Sequence, residues 1–475
     1  MATFDAFFEF PAKPRQFSAG EIEKPSLVAL NKEMAFLCLE GEHNELYLMS
    51  NLNGSYFVLM HSQAGILESF AEKFGMVTAS HFLPEKLRHR FPQNHPVIEL
   101  RMKVIRELGH IHETIGEPEL PEKDLYRDMH HWHRQRELDR SRAWIRQAYM
   151  RYGTFFACGS GMDPLKVRPE LVPVEKGLTA DLFRLARYTW QLPYSKGYGR
   201  RLRFLLWDRY HDKLMGIIGL QSPPIDLAQR DQHYKIPKEQ KVEIINQTMD
   251  AFVLGALSPY SGFLAGKLAV MAAASRDVRL AYEQKYYGTR SQLSQQILPA
   301  RLVAITTFSA FGRSSIYNRV AVGKNSQGQN NWLTLSLGLT SGWGTYHFSD
   351  ELYRELKDFI QSFNPGFQVT GFGTGPKIKR TVITMALRAL DLPASFAQHG
   401  IPRELFVIPH IANLADFLGG KIVEPLYNDL SFAELVEYWR WQYLLGAGPI
   451  PRYQARRESW IYWDYDDLQK NLGLR

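Results

Sequence analysis

A polar cluster at the end of an apolar strand is the part of this chain whose residue types most clearly point to chemistry. The segment ITTFSAFGRSSIYNR begins as an apolar, strand-like run and ends in a dense polar group: Arg313, Ser314, Ser315, Tyr317, Asn318 and Arg319. A strand end that is only structural does not need two guanidiniums, two hydroxyls, a phenol and an amide, whereas a site that binds an anion or places a proton does. We therefore predict a functional cluster, with Arg313 and Tyr317 as candidate catalytic residues.

A glycine-rich loop followed by cations is a second candidate site. In the segment GFGTGPKIKR, Gly373 and Gly375 can adopt positive φ, and Pro376 suits the first position of a helix. Lys377 and Arg380 would place positive charge beside exposed helix N–H groups, which favour anions. We predict a phosphate contact here, although such a loop also serves as a plain turn. The chain has neither GxxxxGKS nor GxxxxGKT, so nucleotide hydrolysis would have to come from a partner.

The segment GWGTYHF supplies a third candidate catalytic residue, His347. Histidine changes its charge near neutral pH, and the adjacent Tyr346 adds a second hydrogen-bonding group. The glycines that flank Trp343 allow a backbone to approach an aromatic ring closely. The structural alternative is a histidine that only satisfies buried hydrogen bonds.

Residues with metal-binding side chains do not form a ligand pattern. His130 and His131 are adjacent and point to different faces of a helix, and no set of Asp, Glu or Cys accompanies them at ligand spacing. A metal-dependent nuclease would need carboxylates that converge on divalent ions. Four aspartates lie near the core segments, but their spacing does not demonstrate convergence: Asp208, Asp212, Asp226 and Asp231. We predict no metal site.

A basic segment with interleaved aromatic residues is the strongest local charge feature. Between Arg134 and Arg151 six arginines stand against two acidic residues, and Trp144 and Tyr149 lie among them. This mixture is typical of surfaces that neutralise phosphates and stack bases. We predict that Arg140, Arg142 and Arg146 contact nucleic acid. The alternative is a solvated helix face whose other side packs on the core.

Length and composition limit the class of protein. The chain has 475 residues, of which 45% are hydrophobic and 22% charged, and a formal net charge of +8. A chain of this length exceeds the size of one typical core, so two or three substructures are expected. It has no uninterrupted apolar run of about 18 residues and no basic-then-apolar start, so neither a membrane span nor a secretory signal is expected. We expect a cytoplasmic protein.

Local patterns divide the chain into four parts. Short extended and helical pieces alternate over residues 1–120, which predicts a mixed α/β module, and residues 121–158 read as a basic helical linker. Residues 175–350 have a strand-and-helix pattern that predicts an α/β core around a central mixed sheet. The class α/β is meant here in the wider sense that includes α+β. Residues 351–475 are predicted to form an α-rich extension packed on that core.

The core pattern resembles the acetyl-coenzyme-A-dependent N-acetyltransferase fold. Its order is a hairpin (RLRFLLWD and KLMGIIGLQ), the strand DAFVLGAL, a helix rich in small residues, and the strand LVAITTF. In that family a tyrosine after the later strand lies near the cofactor sulfur, and Tyr317 matches that position. The family's pyrophosphate loop has Arg or Gln followed by spaced glycines, whereas the segment here reads SPYSGFLAG. Acetyl-coenzyme A is thus the cofactor that the resemblance implies, and none is predicted from the residues.

A more extensive resemblance covers about residues 178–440. The segments RLRFLLWD, GIIGL, MDAFVLGALSPYSGFLAGKL, ITTFSAFGRSSIYNR, TSGWGTYHF, GTGPKIKR, HGIPRELFVIPHIAN and FLGG occur in the order found in the Druantia anti-phage protein DruA family. The resemblance implies a component of a bacterial antiviral defence system that works with other defence proteins. It also implies kinship with proteins found beside mobile elements.

Three functions follow as hypotheses. The first is a defence component that engages nucleic acid through basic and aromatic surfaces. The second is an acetyltransferase-like or nucleotide-modifying enzyme in which Tyr317 donates a proton. The third is a DNA-processing protein associated with mobile elements. The shape of the cleft beside Tyr317 discriminates between the first two hypotheses. A V-shaped gap between the two central strands that is filled by side chains would oppose cofactor binding, whereas an open basic channel would favour nucleic acid. The oligomeric state does not follow from the sequence.

Overall fold

The fold is described here from a computed structural model. The structure describes residues 3–7, 14–18, 39–40, 45–49, 56–60, 97, 100–101, 103–104, 122–157, 161–190, 192, 196–291, 294–310, 314–324, 328, 330–340, 348–363, 376–392, 394–397, 402–421, 423–446 and 450–451. Of β1 to β5 and of residues 122–133 it describes the backbone only.

The described strands are β1 (Thr3–Phe7), β2 (Pro14–Ser18), β3 (Leu39–Glu40), β4 (Glu45–Met49), β5 (Tyr56–Met60), β6 (Pro169–Pro173), β7 (Arg201–Asp208), β8 (Lys213–Gln221), β9 (Thr248–Ala256), β10 (Ala304–Phe308), β11 (Ala321–Lys324), β12 (Asn330–Trp332), β13 (Leu335–Leu339) and β14 (Glu404–Pro409).

The described helices are α1 (Glu122–Tyr152), α2 (Leu178–Tyr188), α3 (Ala228–His233), α4 (Lys241–Asn246), α5 (Ala265–Ala273), α6 (Arg276–Tyr286), α7 (Asp350–Phe363), α8 (Pro376–Ala389), α9 (Leu414–Leu418) and α10 (Phe432–Trp439). Among them, none combines the length and the apolar character that crossing a membrane requires.

The chain divides into two compact units. The first comprises residues 1–129 and 343–400, and the second comprises residues 130–342 and 401–475. In the first unit β1 pairs with β2, and β3, β4 and β5 form a second small antiparallel sheet. Its helix α7 buries Leu352, Leu356 and Ile360, which lie four residues apart and therefore share one face. The predicted boundaries at residues 120, 158 and 350 stay predictions.

A seven-stranded sheet forms the centre of the second unit. Its order is β13-β14-β10-β9-β8-β7-β6. Neighbouring strands are antiparallel except β9 and β10, which run parallel and pair from Thr248 opposite Ala304 to Ala251 opposite Thr307. Helices α5 and α6 lie in the crossover between them, as parallel neighbours require. The sheet confirms the predicted α/β class with a central mixed sheet.

The hairpin of β7 and β8 shows why the local sequence folds as it does. Both strands have the bounds that the sequence predicts, and four residues join them. Asp212 adopts a φ of 52° in this turn, a conformation that Asp tolerates better than most residues. Its carboxylate accepts a hydrogen bond of 3.1 Å from Trp207 Nε1, which ties the turn to the strand.

Side chains alternate between the two faces of the sheet. On one face Phe204, Met215 and Ile218 pack with helices α5, α6 and α10, and we call this the α5 face. On the other face Leu205 and Ile217 pack with α2, and we call this the α2 face. Complete burial of one such side chain stabilises the fold by about 1.5–3 kcal/mol. Apolar packing on both faces therefore stabilises the sheet. A separate apolar cluster, which includes Ala304 and Val407, covers the α2 face near β10 and β14.

Candidate functional site

The polar cluster that follows β10 forms a tight turn between that strand and β11. The hydroxyl of Ser314 accepts a hydrogen bond from the backbone N–H of Ile316, and Arg319 adopts a φ of 56°. The hydroxyl of Tyr443 donates to the carbonyl of Arg319 at 3.3 Å. Ser315, Asn318 and Arg319 are exposed. Arg313 lies outside the described residues.

Lys267 of α5 holds this turn in place. Its ammonium donates to the carbonyl of Ser315 at 2.8 Å and also to the carbonyl of Asn318. Burial, together with the nearby charge of Arg319, lowers the pKa of Lys267 to about 8. The turn therefore presents Arg319 and two small polar side chains to solvent from a fixed backbone.

Tyr317 points inward from the turn, unlike its neighbours. Only 8% of the residue is exposed. Its hydroxyl donates to the carbonyl of Leu254 at 3.2 Å, and its ring contacts Phe406 edge-on, with the ring centroids 5.5 Å apart. Burial raises the pKa of the Tyr317 phenol to about 12, so the phenol keeps its proton at neutral pH.

The Tyr317 ring occupies the space where β9 and β10 stop pairing. The last residue of β9 that pairs with β10 is Ala251, and Leu254, which accepts the Tyr317 hydrogen bond, lies three residues farther along β9. The aromatic partner Phe406 belongs to β14, on the other side of β10. A ligand that entered between the diverging strands at this point would have to displace this ring.

A buried carboxylate lies on the opposite face of the sheet. Asp250 of β9 is 5% exposed and accepts hydrogen bonds from Gln221 Nε2 at 3.0 Å and from Thr306 Oγ1 at 2.8 Å. Burial raises the pKa of Asp250, while its two hydrogen bonds and the charges of Arg230 and Arg403 oppose the rise. We call these five residues the Asp250 centre. It combines a carboxyl that can take up a proton with two guanidiniums.

Arg230 is held inside the protein by several acceptors. Its guanidinium donates to the carbonyls of Pro224 and Ile225 at 2.9 and 2.8 Å and pairs with the carboxylate of Asp231 at 2.7 Å. The Arg230-Asp231 pair is thus directed into the protein, next to Asp250. Sequence reasoning missed the Asp250 centre. The available signal was a single carboxylate inside the otherwise apolar strand MDAFVLGA.

The raised pKa of Asp250 predicts a specific pH dependence of stability. Because the folded-state pKa lies above the unfolded one, the group stabilises the fold at low pH, and this contribution is lost as the pH rises through the folded pKa. Asp250→Asn removes the titration. We expect wild type to gain stability relative to Asp250→Asn as the pH falls from about 7 to about 4. Urea unfolding at several pH values measures this difference, and a difference that does not vary with pH would contradict it.

The four aspartates that the sequence offers as possible metal ligands are engaged by the protein itself. Asp208 accepts hydrogen bonds from four donors, and Asp212 accepts one from Trp207. Asp226 and Asp231 both pair with Lys241, at 2.7 Å each. Within the described part of the chain, no group of three His, Cys, Asp or Glu residues could hold a metal ion.

The three predicted arginines of α1 lie on its exposed surface. Arg140 pairs with Glu137 at 3.4 Å, and Arg142 pairs with Asp139 at 2.6 Å. Exposed pairs of this kind are weak, typically below about 1 kcal/mol, and can be exchanged for contacts to phosphate. Arg146 is exposed one turn beyond Arg142, on the same side of the helix.

The opposite side of α1 packs into the second unit. Leu138, Ile145 and Tyr149 are buried there. Trp144 is covered by the Arg184 guanidinium, 3.7 Å from the ring centroid, so this tryptophan is packed against protein. The arrangement combines the two alternatives that the sequence left open, because one side of the helix is core and the other is a basic surface.

The predicted site residues of the first unit are described only in part. Arg380 is exposed on α8. Its neighbour Lys379 pairs with Asp350 at 3.5 Å and lies over the Tyr353 ring. Gly373, Gly375 and His347 lie outside the described residues, and of Lys377 only the backbone is described.

Two comparisons with known proteins find matches over most of the chain. A family model described as Druantia protein DruA matches residues 120–420. The Druantia protein DruA of Escherichia coli strain UMEA 4076-1 is 34% identical over 380 residues, which are 78% of this chain and 91% of that protein. No solved structure matches the chain. The resemblance to the N-acetyltransferase fold therefore stays a prediction.

Proposed function

Since this chain belongs to the DruA family and is thereby a component of the Druantia anti-phage system, we propose that its task in that system is to engage nucleic acid. The observation that carries the proposal is the exposed surface of α1 with Arg140, Arg142 and Arg146, backed by a buried apolar side that fixes the helix. Arg142 and Arg146, held one turn apart on the same side of a rigid helix, can contact successive phosphates.

The turn after β10 supports the same role. Arg319 is exposed there beside Ser315 and Asn318, and Lys267 fixes the backbone of the turn. Contacts from such side chains to the phosphate backbone of nucleic acid position a protein without reading the base sequence. Other proteins of the Druantia system are the expected partners, and any nucleotide hydrolysis would come from them.

Replacing Arg140, Arg142 and Arg146 together by alanine tests the proposal. We expect the affinity for single- and double-stranded oligonucleotides to fall. The slope of log affinity against log salt should decrease by about 1 for each phosphate that the variant no longer neutralises. Fluorescence anisotropy over a salt series measures both quantities.

The matched control removes three cations that lie apart and are paired with carboxylates: Lys166, Arg276 and Lys421. Both triple variants change the net charge by the same amount. Equal affinities of the two variants would mean that general charge, and not the α1 surface, is responsible. An α1 variant that binds as wild type does would refute the role of α1.

An enzymatic role is the second candidate, and the Asp250 centre favours it. A carboxyl whose pKa is raised by burial, beside two guanidiniums, is the kind of group that serves as a general acid or base. Asp250→Asn, once shown to be folded, should then abolish phage protection while leaving oligonucleotide binding intact. Full protection by this variant would exclude proton transfer by Asp250 from the defence function.

A further inference from the structure

A basic surface with tyrosines lies at the start of β7 and the end of α6. Two segments that contain no acidic residue, 196–207 and 284–290, meet there. They supply three cations close to one another, of which Arg201 and Lys285 are exposed and Arg203 is partly buried. Tyr286 and Tyr287 follow Lys285 directly. We call this region the β7–α6 surface.

Hydrogen bonds join the two segments. The Lys285 ammonium and the Tyr286 hydroxyl both donate to the carbonyl of Arg201, each at 2.8 Å. The neighbouring Arg200 guanidinium donates to the carbonyl of Asn246 and lies over the rings of Tyr282 and Tyr286, 5.4 and 5.8 Å from their centroids. The surface is therefore built on a fixed scaffold.

Three cations of this region lack a carboxylate partner within the described part of the chain. Arg200, Arg201 and Lys285 form no ion pair with a carboxylate among the described residues. Burial lowers the pKa of Lys285, and the charges of Arg203 and Arg201 lower it further, so the ammonium sits in a positive field. A phosphate bound there would relieve this repulsion.

An exposed aromatic ring completes the surface. Tyr287 is 87% exposed at the end of α6, next to the tyrosine that bonds to Arg201. An exposed ring beside several cations is the combination with which proteins bind single strands, because the ring stacks on a base while the cations contact the backbone. A duplex keeps its bases stacked internally and would not use the ring.

From these contacts we infer that the β7–α6 surface binds single-stranded nucleic acid, with Arg201 and Lys285 on phosphates and Tyr287 stacked on a base. The inference rests on the proposed function and deepens it, because it names the ligand as a single strand and assigns a second contact surface besides α1. The two surfaces come from different elements and can be changed independently.

The test uses the full chain and two probes, an oligothymidine single strand and a mixed-sequence duplex, in fluorescence anisotropy. For Arg201→Ala with Lys285→Ala we expect at least a tenfold loss of affinity for the single strand. For Tyr287→Ala we expect about a fivefold loss for the single strand and no change for the duplex. Lys166→Ala with Lys421→Ala is the control with the same charge change, and it should bind as wild type does.

The outcomes separate the two proposals. If wild type binds the single strand and Arg201→Ala with Lys285→Ala binds it equally well, the inference is wrong and the proposed function stands. If Tyr287→Ala lowers the affinity for the single strand and for the duplex equally, or lowers neither affinity, stacking on this ring is refuted. If wild type binds neither probe, both proposals fail. Because Tyr287 is exposed, its substitution tests the surface without a risk to folding.

Discussion

Tyr317→Ala is expected to destabilise the protein by about 3–5 kcal/mol, the range for truncating a buried aromatic side chain. The ring lies where β9 and β10 stop pairing and contacts Phe406, and the hydroxyl donates to the carbonyl of Leu254. Truncation would leave a cavity and a buried carbonyl without its donor. Urea unfolding measures the change, and a variant within about 1 kcal/mol of wild type would contradict this account of the core.

Tyr317→Phe separates packing from chemistry. This substitution keeps the ring and removes the hydroxyl, so we expect a loss of only about 1–3 kcal/mol, from the unsatisfied carbonyl of Leu254. If the folded variant also loses phage protection, the hydroxyl has the chemical role that the sequence predicts. If protection is complete, Tyr317 is structural. Tyr287→Ala, at an exposed position, should stay within about 0.5 kcal/mol of wild type.

Asp208→Ala is expected to have a comparable effect, about 3–5 kcal/mol, because it removes one partner of a buried polar network. The Asp208 carboxylate is fully buried. It accepts hydrogen bonds from the backbone N–H groups of Arg168 and Tyr210, from Tyr260 at 2.8 Å and from His211 Nδ1 at 2.6 Å. Alanine would leave these donors without an acceptor, which is the most costly way to break a hydrogen bond.

The hydrogen bonds of His211 show that the network has a structural role. His211 Nε2 accepts a hydrogen bond of 3.1 Å from the backbone N–H of Asp163, so its Nδ1 carries the proton that is donated to Asp208. Both ring nitrogens are thus engaged by the protein, although a cavity of about 340 Å³ lies beside the ring. Thermal or urea unfolding of Asp208→Ala tests this reading.

The control for Asp208→Ala is Asp226→Ala. Asp226 is exposed and pairs with Lys241, so its removal should cost less than about 1 kcal/mol. Asp208→Asn should fall between the two, because an amide keeps one acceptor oxygen but turns an NH2 group toward the remaining donors. Equal stability of Asp208→Ala and Asp226→Ala would show that the buried network contributes nothing.

The parts of the fold that depend on local pattern could be predicted from the sequence. The bounds of β7 and β8 follow from two apolar runs separated by turn residues, and the basic helix follows from the segment after residue 121. The crossover between the parallel strands β9 and β10 follows from the helix between them. In each case the determining contacts lie close together along the chain.

The Asp250 centre could not be predicted, because its contacts are distant along the chain. Gln221 and Thr306 lie 29 and 56 residues away from Asp250. Their juxtaposition depends on the register of β8, β9 and β10, which a single sequence does not determine. The association of residues 343–400 with residues 1–129 in one unit is a long-range property of the same kind.

Tyr317 illustrates a different limit. Its polar neighbours predict a surface site, and Ser315, Asn318 and Arg319 are indeed exposed. The burial of Tyr317 depends on the divergence of β9 from β10, which no residue of the turn itself encodes. The β7–α6 surface was missed for a similar reason, because its cations come from segments about 80 residues apart that only the sheet and α6 bring together.

The most direct test of the central claim is the affinity of the wild-type protein for a single-stranded oligonucleotide as a function of salt. If the protein engages nucleic acid through its arginines and lysines, log affinity should fall linearly with log salt, with a slope of about −0.7 for each phosphate neutralised. Contacts from both α1 and the β7–α6 surface predict a slope of about −3 or steeper. An affinity that does not change between about 50 and 200 mM salt, or no binding at the lower concentration, would contradict the claim.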